Sequence, residues 1–145
     1  MRSNSLNTYY FIRSEQYSRI SKKFYEDYLS AKYVCQNIDK IISFDFDPNR
    51  YLNFLLAQLH KEDDAAVAVL IFQAMAIESY ANLMGAYFLD ETTFYEKKER
   101  KFIEKKLTDI IKAIDKKPPA DLIKKIEVLF EKRNALVHQK PRGIF

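Results

Sequence analysis

The last part of the chain brings three residues with useful chemistry into one short segment, Arg133, Asn134 and His138 in RNALVH. A histidine titrates near ~6.5, so it can both accept and donate a proton close to neutral pH. An arginine stays charged, and its planar group binds phosphate or carboxylate oxygens in pairs. This combination predicts proton transfer beside a bound anion, provided that a helix holds the side chains together.

Arg133 falls on the apolar face of the predicted last helix. Four apolar residues define this face within roughly 40° at the α-helical step: Leu122, Ile126, Leu129 and Leu136. With ~100° per residue, Arg133 lies roughly 20° from Leu122 around the helix axis. A charge on a face directed toward the core is costly unless an acceptor pairs with it. Arg133 therefore needs an acceptor elsewhere in the fold.

The best acceptor is Glu78, the only charged residue between positions 65 and 89. Because a carboxylate accepts two parallel hydrogen bonds from an arginine, we expect Glu78 and Arg133 to be in contact, directly or through one water. Asn82, one turn later on the same helix face, could complete the network. A buried structural clamp would explain the same pair without any chemistry.

The two histidines are expected to have different roles. His138 lies roughly 140° beyond Arg133 around the helix, so it shares a second face with Asn134 and points to the surface or to a partner. A histidine at this end of a helix could also interact only with the helix dipole. His60, near the end of the predicted second helix, is expected only to cap that helix.

Apolar periodicity predicts helices along most of the chain. The first helix covers roughly 14–43, after a leader of residues 1–13 that we expect to be flexible. Asp47 and Pro48 suit the N-cap and the first position of a shorter second helix. Helices thus dominate the first half of the sequence.

The segment 65–89 is apolar on every side, which is typical of a membrane span or of a helix buried among other helices. Gln73, Glu78 and Asn82 in its interior argue against lipid, where a charge is expensive. We therefore predict the central helix of a bundle and no membrane. The acidic triplet 62–64 is expected to occupy the first turn of this helix rather than to bind a metal.

Thr93 and Glu96 form a capping box that predicts the start of the next helix. Pro118 and Pro119 end it, and Pro119 can open the last helix. The first half of the helix that starts at Thr93 contains six basic residues. They could bind RNA phosphates or form a solvated face between glutamates: Lys97, Lys98, Arg100, Lys101, Lys105 and Lys106.

Composition sets the fold class. Two glycines in 145 residues leave few sites for the tight turns of a β protein. One cysteine and two distant histidines exclude an internal disulfide and a zinc cluster, and they predict a reducing, intracellular setting. The net charge of +4 permits a polyanionic partner without requiring one. We predict an all-α protein, an antiparallel bundle of about five helices forming one domain over 14–140, with a tail over 141–145.

The end of the chain resembles the signature of the HEPN superfamily (higher eukaryotes and prokaryotes nucleotide-binding). An arginine, a polar residue, three more positions and a histidine close the last helix, and EKRNALVHQKPR over 131–142 carries most of the likeness. AIESYANLM over 76–84 resembles the family's central helix, in which an acidic residue faces the motif arginine. The resemblance covers the body of the chain from about residue 14 and implies a HEPN-like fold.

The resemblance also implies an activity. Catalytic members cut RNA without metal or cofactor, at a site that two subunits share across a two-fold interface. Carried over, His138 is a general acid or base for the ribose 2′-hydroxyl, Arg133 braces the phosphate, and Asn134 orients the histidine or an oxygen. Lys140 and Arg142 would contact neighbouring phosphates. The expected product carries a cyclic phosphate.

Two functions remain open at this point. The first is a metal-independent endoribonuclease in the cytoplasm, a toxin or defence effector, with RNA as substrate, a second copy of the chain as partner and an antitoxin protein as a further candidate partner. The second is a non-catalytic HEPN-like module that dimerises, or binds a nucleotide or a protein, because many relatives keep the fold and lose the chemistry. If the chain is an endoribonuclease, we expect one edge of the Arg133 guanidinium to contact Glu78 and the other edge to line a cleft.

Overall fold

A computed structural model describes residues 2–42, 47–90, 94 and 102–138, with side chains from residue 7 onward. Helices are the only regular secondary structure in these ranges, which confirms the all-α class. We number them α1 (Arg2–Gln36), α2 (Ile38–Ile41), α3 (Pro48–Phe88), α4 (Ile103–Ala113) and α5 (Ala120–Val137).

The chain divides into two compact units, the first formed by 1–18 with 73–145 and the second by 19–72. Both α1 and α3 contribute residues to each unit. The single domain predicted over 14–140 stays a prediction, and the tail predicted over 141–145 lies outside the described residues.

The first helix starts earlier and ends earlier than its apolar periodicity suggests. α1 begins at Arg2, so most of the segment predicted as a flexible leader is helical, and it ends at Gln36. The side chain of Asn37 donates a hydrogen bond of 2.9 Å to the carbonyl of Tyr33, and the short α2 follows. The backbone N–H of Asn37 donates to the same carbonyl over 3.0 Å, so the side chain adds a second hydrogen bond where α1 ends.

The start of α3 is predicted correctly, but its length is not. The backbone N–H of Asn49 donates to Oδ1 of Asp47 over 2.9 Å, so Asp47 caps the helix and Pro48 takes its first position. α3 is one helix of 41 residues, without the predicted break near residue 61. No glycine or proline lies between Pro48 and Gly85, and the acidic triplet 62–64 is compatible with a helix interior. That triplet therefore lies in mid-helix, not in a first turn.

Small residues on one face of α3 form the core of the first unit. Ala74 and Ala81 are fully buried and pack with Ile103 and Ile110 of α4 and Phe130 of α5. Partly buried apolar residues surround this cluster: Ile77, Met84, Leu89, Leu107, Ile126 and Leu129. The alanines let the other helices approach α3 closely.

Gly85 extends this face by one turn, and the structure requires a glycine there. A Cβ atom at Gly85 would overlap the ring of Phe94, which is itself fully buried. The capping box predicted at Thr93 and Glu96 lies outside the described residues. Any larger residue at position 85 must displace a packed aromatic ring.

A tight turn and two prolines separate α4 from α5, as predicted. Asp115 follows α4 with φ of 55°, in the left-handed region. Pro119 occupies the N-cap position, with extended backbone, so α5 begins at Ala120, one residue later than predicted. α4 and α5 pack against each other, which holds the end of the chain on the first unit.

In the second unit, α1 and α3 contact through small and aromatic residues. The hydroxyl of Ser21 donates to the carbonyl of Val69 over 3.4 Å, and the rings of Phe24 and Phe72 stack with centroids 6.0 Å apart. Desolvation raises the pKa of the Cys35 thiol above its ordinary value, and the carboxylate of Glu62 raises it further. Cys35 is therefore a poorly reactive thiol at neutral pH.

Among the described helices, α3 alone is long and apolar enough to cross a membrane. Its most apolar window has a mean hydropathy of 1.5, and 28% of that window is buried. The core helix of a soluble protein meets the same criterion. The absence of a membrane span stays a prediction.

Candidate functional site

The middle of the apolar face of α5 packs on the core of the first unit, and this packing positions the candidate residues. Ile126, Leu129 and Phe130 pack on the core, as predicted for the first two. Leu122 and Leu136, expected on the buried face, are exposed at the two ends of the helix. Only the middle of α5 is covered by the described residues of the first unit, so its last turn presents apolar side chains to the surroundings.

Arg133 and Glu78 form the predicted pair. Nη2 of Arg133 lies 3.8 Å from Oε2 of Glu78, with 23% of the arginine side chain and 43% of the glutamate side chain exposed. The contact is confirmed. The distance is that of an ion pair rather than of a hydrogen bond, so the two parallel hydrogen bonds expected from the residue types are not formed.

A second contact holds Arg133 but leaves some of its hydrogen-bond donors without an acceptor in the described part of the chain. The guanidinium carbon lies 5.1 Å from the ring centroid of Phe130, one turn earlier on α5, in a cation–π arrangement. The Nε atom of Arg133 is buried and, among the described residues, no acceptor lies within hydrogen-bond distance of it. Arg133 is thus anchored by a carboxylate and an aromatic face while part of its donor capacity stays unused.

Asn82 does not join this network. Its Oδ1 accepts a hydrogen bond of 2.8 Å from Nζ of Lys106, and both residues are buried, with 6% of Asn82 and 2% of Lys106 exposed. The amide therefore stabilises a cation on α4 instead of extending the Arg133 pair. The prediction that Asn82 could complete the Glu78–Arg133 network is wrong.

The burial of Lys106 also corrects the interpretation of the basic residues. Lys106 was grouped with residues that bind RNA or face solvent, yet it lies between the buried Ile103 and Ile110 at helical spacing. The spacing of Lys106 from Ile103 and Ile110 is the sequence signal that indicates its burial. Lys105 is exposed and pairs with Asp109 at 3.8 Å. The remaining members of the group, 97–98 and 100–101, lie outside the described residues.

Arg133 and Asn134 line an open cleft of about 390 Å³ on the first unit. The cleft also contains the exposed ring of Phe102 and four glutamates: Glu78, Glu104, Glu127 and Glu131. Arg133 thus contacts Glu78 and lines a cleft, which is the arrangement expected if it is to meet a ligand. The sequence analysis did not identify the glutamates, because they come from three helices and their convergence depends on the tertiary fold.

The glutamates make the cleft electronegative. Nζ of Lys124 donates to Oε2 of Glu127 over 3.1 Å. This hydrogen bond and the charge of Glu127 raise the pKa of Lys124 above its ordinary value, and Glu131 and Glu104 raise it further. Among the described lining residues, four carboxylates outnumber the single cation, Arg133, and they disfavour an anion between them.

His138 lies beside the cleft and at the surface. It occupies the C-cap of α5, where its backbone N–H donates to the carbonyl of Asn134 over 2.9 Å. It is exposed, as predicted, and follows Glu127, Glu131 and Asn134 on one row of the helix. Lys140 and Arg142, predicted to contact phosphates, lie outside the described residues.

No protein-family model, curated protein or solved structure matches this chain. The resemblance to the HEPN superfamily therefore depends on RNALVH, on the acidic residue of α3 and on their placement. Among the described residues, no group of three or more histidine, cysteine, aspartate or glutamate side chains is arranged to hold a metal ion.

Proposed function

We propose that this chain is a metal-independent endoribonuclease of the HEPN type, with its active site shared between two copies. One observation carries the proposal. Arg133 is held by Glu78 and Phe130 yet lines an open cleft beside Asn134, one helical turn before the exposed His138.

The chemistry follows from His138 and Arg133. His138 removes the proton of a ribose 2′-hydroxyl, and that oxygen attacks the adjacent phosphorus. The bond to the 5′-oxygen breaks, and the leaving oxygen takes a proton from the histidine of the second copy. Arg133 stabilises the charge that builds on the phosphate oxygens. The products are a cyclic 2′,3′-phosphate and a free 5′-hydroxyl.

The exposed end of α5 supports a dimer at this position. Leu136 and Val137 immediately precede His138 and are both exposed. Exposed apolar side chains beside polar functional residues are typical of an interaction surface. A second copy that covers them would bring two histidines and two arginines toward one groove. We therefore propose that the partner is another copy of this chain.

An endoribonuclease active in the cytoplasm would also cut the RNA of the cell that makes it, so a partner that restrains it is part of the proposal. A toxin or defence effector in the cytoplasm, held inactive by an antitoxin protein, meets this requirement. RNA is the substrate in this account, and no membrane takes part.

A second candidate is a non-catalytic dimerising or ligand-binding module of the same fold. The four glutamates of the cleft favour it, because a phosphate entering there would meet carboxylates as well as Arg133. In that case Arg133 only joins α5 to α3. The nuclease proposal requires the RNA phosphate to reach Arg133 from the side of Asn134 and His138, at the part of the cleft that Arg133 and Asn134 line, without entering among the glutamates.

RNA cleavage in the presence of a chelator separates the two candidates. Purified protein is compared with His138→Ala and with the matched control His60→Ala, which removes the other exposed histidine. We expect His138→Ala to lower the cleavage rate by about 100-fold or more, as for loss of a general acid or base, and His60→Ala to leave it unchanged. Equal traces of cleavage from the wild-type protein and His138→Ala would support the non-catalytic module.

A further inference from the structure

An aromatic ring stands open to solvent at the candidate site. Phe102 directly precedes α4, lines the cleft with Arg133 and Asn134, and is 81% exposed. A phenylalanine contributes little to stability when it is left in water. An exposed ring beside a cleft is, however, a surface on which a nucleobase can stack.

Two carboxylates of the cleft are available to a ligand. Glu127 accepts the hydrogen bond from Lys124, and Glu78 pairs with Arg133. Glu104 and Glu131 make no side-chain hydrogen bond or ion pair with another described residue. Because carboxylates only accept hydrogen bonds, they select a ligand that donates them and repel a phosphate.

Among the four RNA bases, guanine matches this lining best. Its Watson–Crick edge presents two adjacent donors, N1–H and the N2 amino group, which one carboxylate can accept in parallel, as it does from an arginine. Adenine and cytosine present one amino group beside a ring acceptor, and uracil presents one N–H between two carbonyl oxygens. An acceptor placed against a carboxylate is repelled, so these bases fit less well.

We propose that the cleft binds an unpaired guanine base, which stacks on Phe102 and donates hydrogen bonds from its Watson–Crick edge to Glu104 and Glu131. This inference rests on the proposed function and specifies its substrate: single-stranded RNA with a guanine next to the cut. The cleft volume of about 390 Å³ suits one base rather than a duplex. The neighbouring phosphate then lies outside the carboxylates, beside Asn134 and His138.

Binding of nucleosides, which carry no phosphate, tests the subsite alone. Guanosine, adenosine, cytidine and uridine are titrated separately into the full chain by calorimetry. We expect guanosine to bind about tenfold more tightly than the other three, and Phe102→Ala to weaken it about tenfold, within the range for stacking one base. The double variant Glu104→Gln and Glu131→Gln should abolish the preference. Tyr87→Ala is the matched control, because Tyr87 is an exposed aromatic outside the cleft lining.

Guanosine that binds no more tightly than uridine, or Phe102→Ala with unchanged guanosine affinity, would overturn the subsite. Circular dichroism of each variant checks that the fold is kept, which the exposure of Phe102 leads us to expect. His138→Ala separates this test from that of the nuclease, since it should bind guanosine like the wild-type protein. Guanosine selectivity without His138-dependent cleavage supports the subsite and rejects the nuclease. His138-dependent cleavage without a preference for guanine beside the cut supports the nuclease and rejects the subsite.

Discussion

Two cation–acceptor pairs lie one turn apart on α3, and they differ in almost every physical respect. Lys106 donates to Asn82 over 2.8 Å, and both side chains are buried. Arg133 meets Glu78 at 3.8 Å, both are partly exposed, and the arginine lines a cleft. The first pair joins α4 to α3 and offers nothing to a ligand. The second joins α5 to α3 and leaves part of the guanidinium exposed at the cleft.

The difference between the two pairs shows that a charge on an apolar helix face is not evidence of function by itself. Both Lys106 and Arg133 interrupt an apolar stripe at helical spacing. Burial and partner geometry separate them, because a fully enclosed cation can only stabilise the fold, whereas a partly exposed one can also bind an anion.

The largest effect is expected at the buried pair. Asn82→Ala removes a hydrogen-bond acceptor from the buried ammonium group of Lys106, and we expect it to lower the free energy of unfolding by about 3 kcal/mol. Urea unfolding measures this change. Asn53→Ala, at an exposed position of the same helix, is the matched control and should have almost no effect. A loss no larger than that of the control would mean that the pair is not enclosed in solution.

Gly85, one turn beyond Asn82, tests how closely α3 is packed at its buried end. In an open helix, Gly85→Ala would stabilise the protein by up to ~1 kcal/mol through helix propensity. Because the new Cβ would overlap the ring of Phe94, we expect a net loss of about 2 kcal/mol instead. Thermal and urea unfolding decide the sign. A stabilised variant would contradict the packing.

Glu78 should matter less to stability than Asn82. Its ion pair is long and partly exposed, so Glu78→Gln should lower the free energy of unfolding by less than about 1 kcal/mol. RNA cleavage should fall several-fold, because the guanidinium of Arg133 loses one of its two anchors. Glu26→Gln, at an exposed position of α1, is the control. A stability loss as large as that of Asn82→Ala would make the two pairs equivalent and break the comparison.

Local sequence signals predict two helix boundaries and one of the two cation–acceptor pairs. Asp47 with Pro48 correctly marks the start of α3, and the prolines at 118–119 correctly separate α4 from α5. These signals depend on backbone geometry within a few residues. The Glu78–Arg133 contact was also predictable, because the segment 65–89 contains only one charge.

Other features depend on tertiary structure and could not be predicted in the same way. The interaction of Asn82 with Lys106 requires α4 to pack on the same face of α3, which its own sequence does not specify. The cleft depends on glutamates from three helices that lie far apart along the chain. The continuity of α3 was missed for a local reason, since an acidic triplet suits both a first turn and a helix interior.

Arg133→Gln tests the central claim most directly when the free energy of unfolding and the rate of RNA cleavage in chelator are measured on the same preparation. We expect a stability loss below about 1 kcal/mol, because the pair is partly exposed, together with a fall in cleavage of about 100-fold or more. The opposite result, a stability loss like that of Asn82→Ala with cleavage unchanged from the wild-type protein, would make Arg133 a structural clamp and contradict the account.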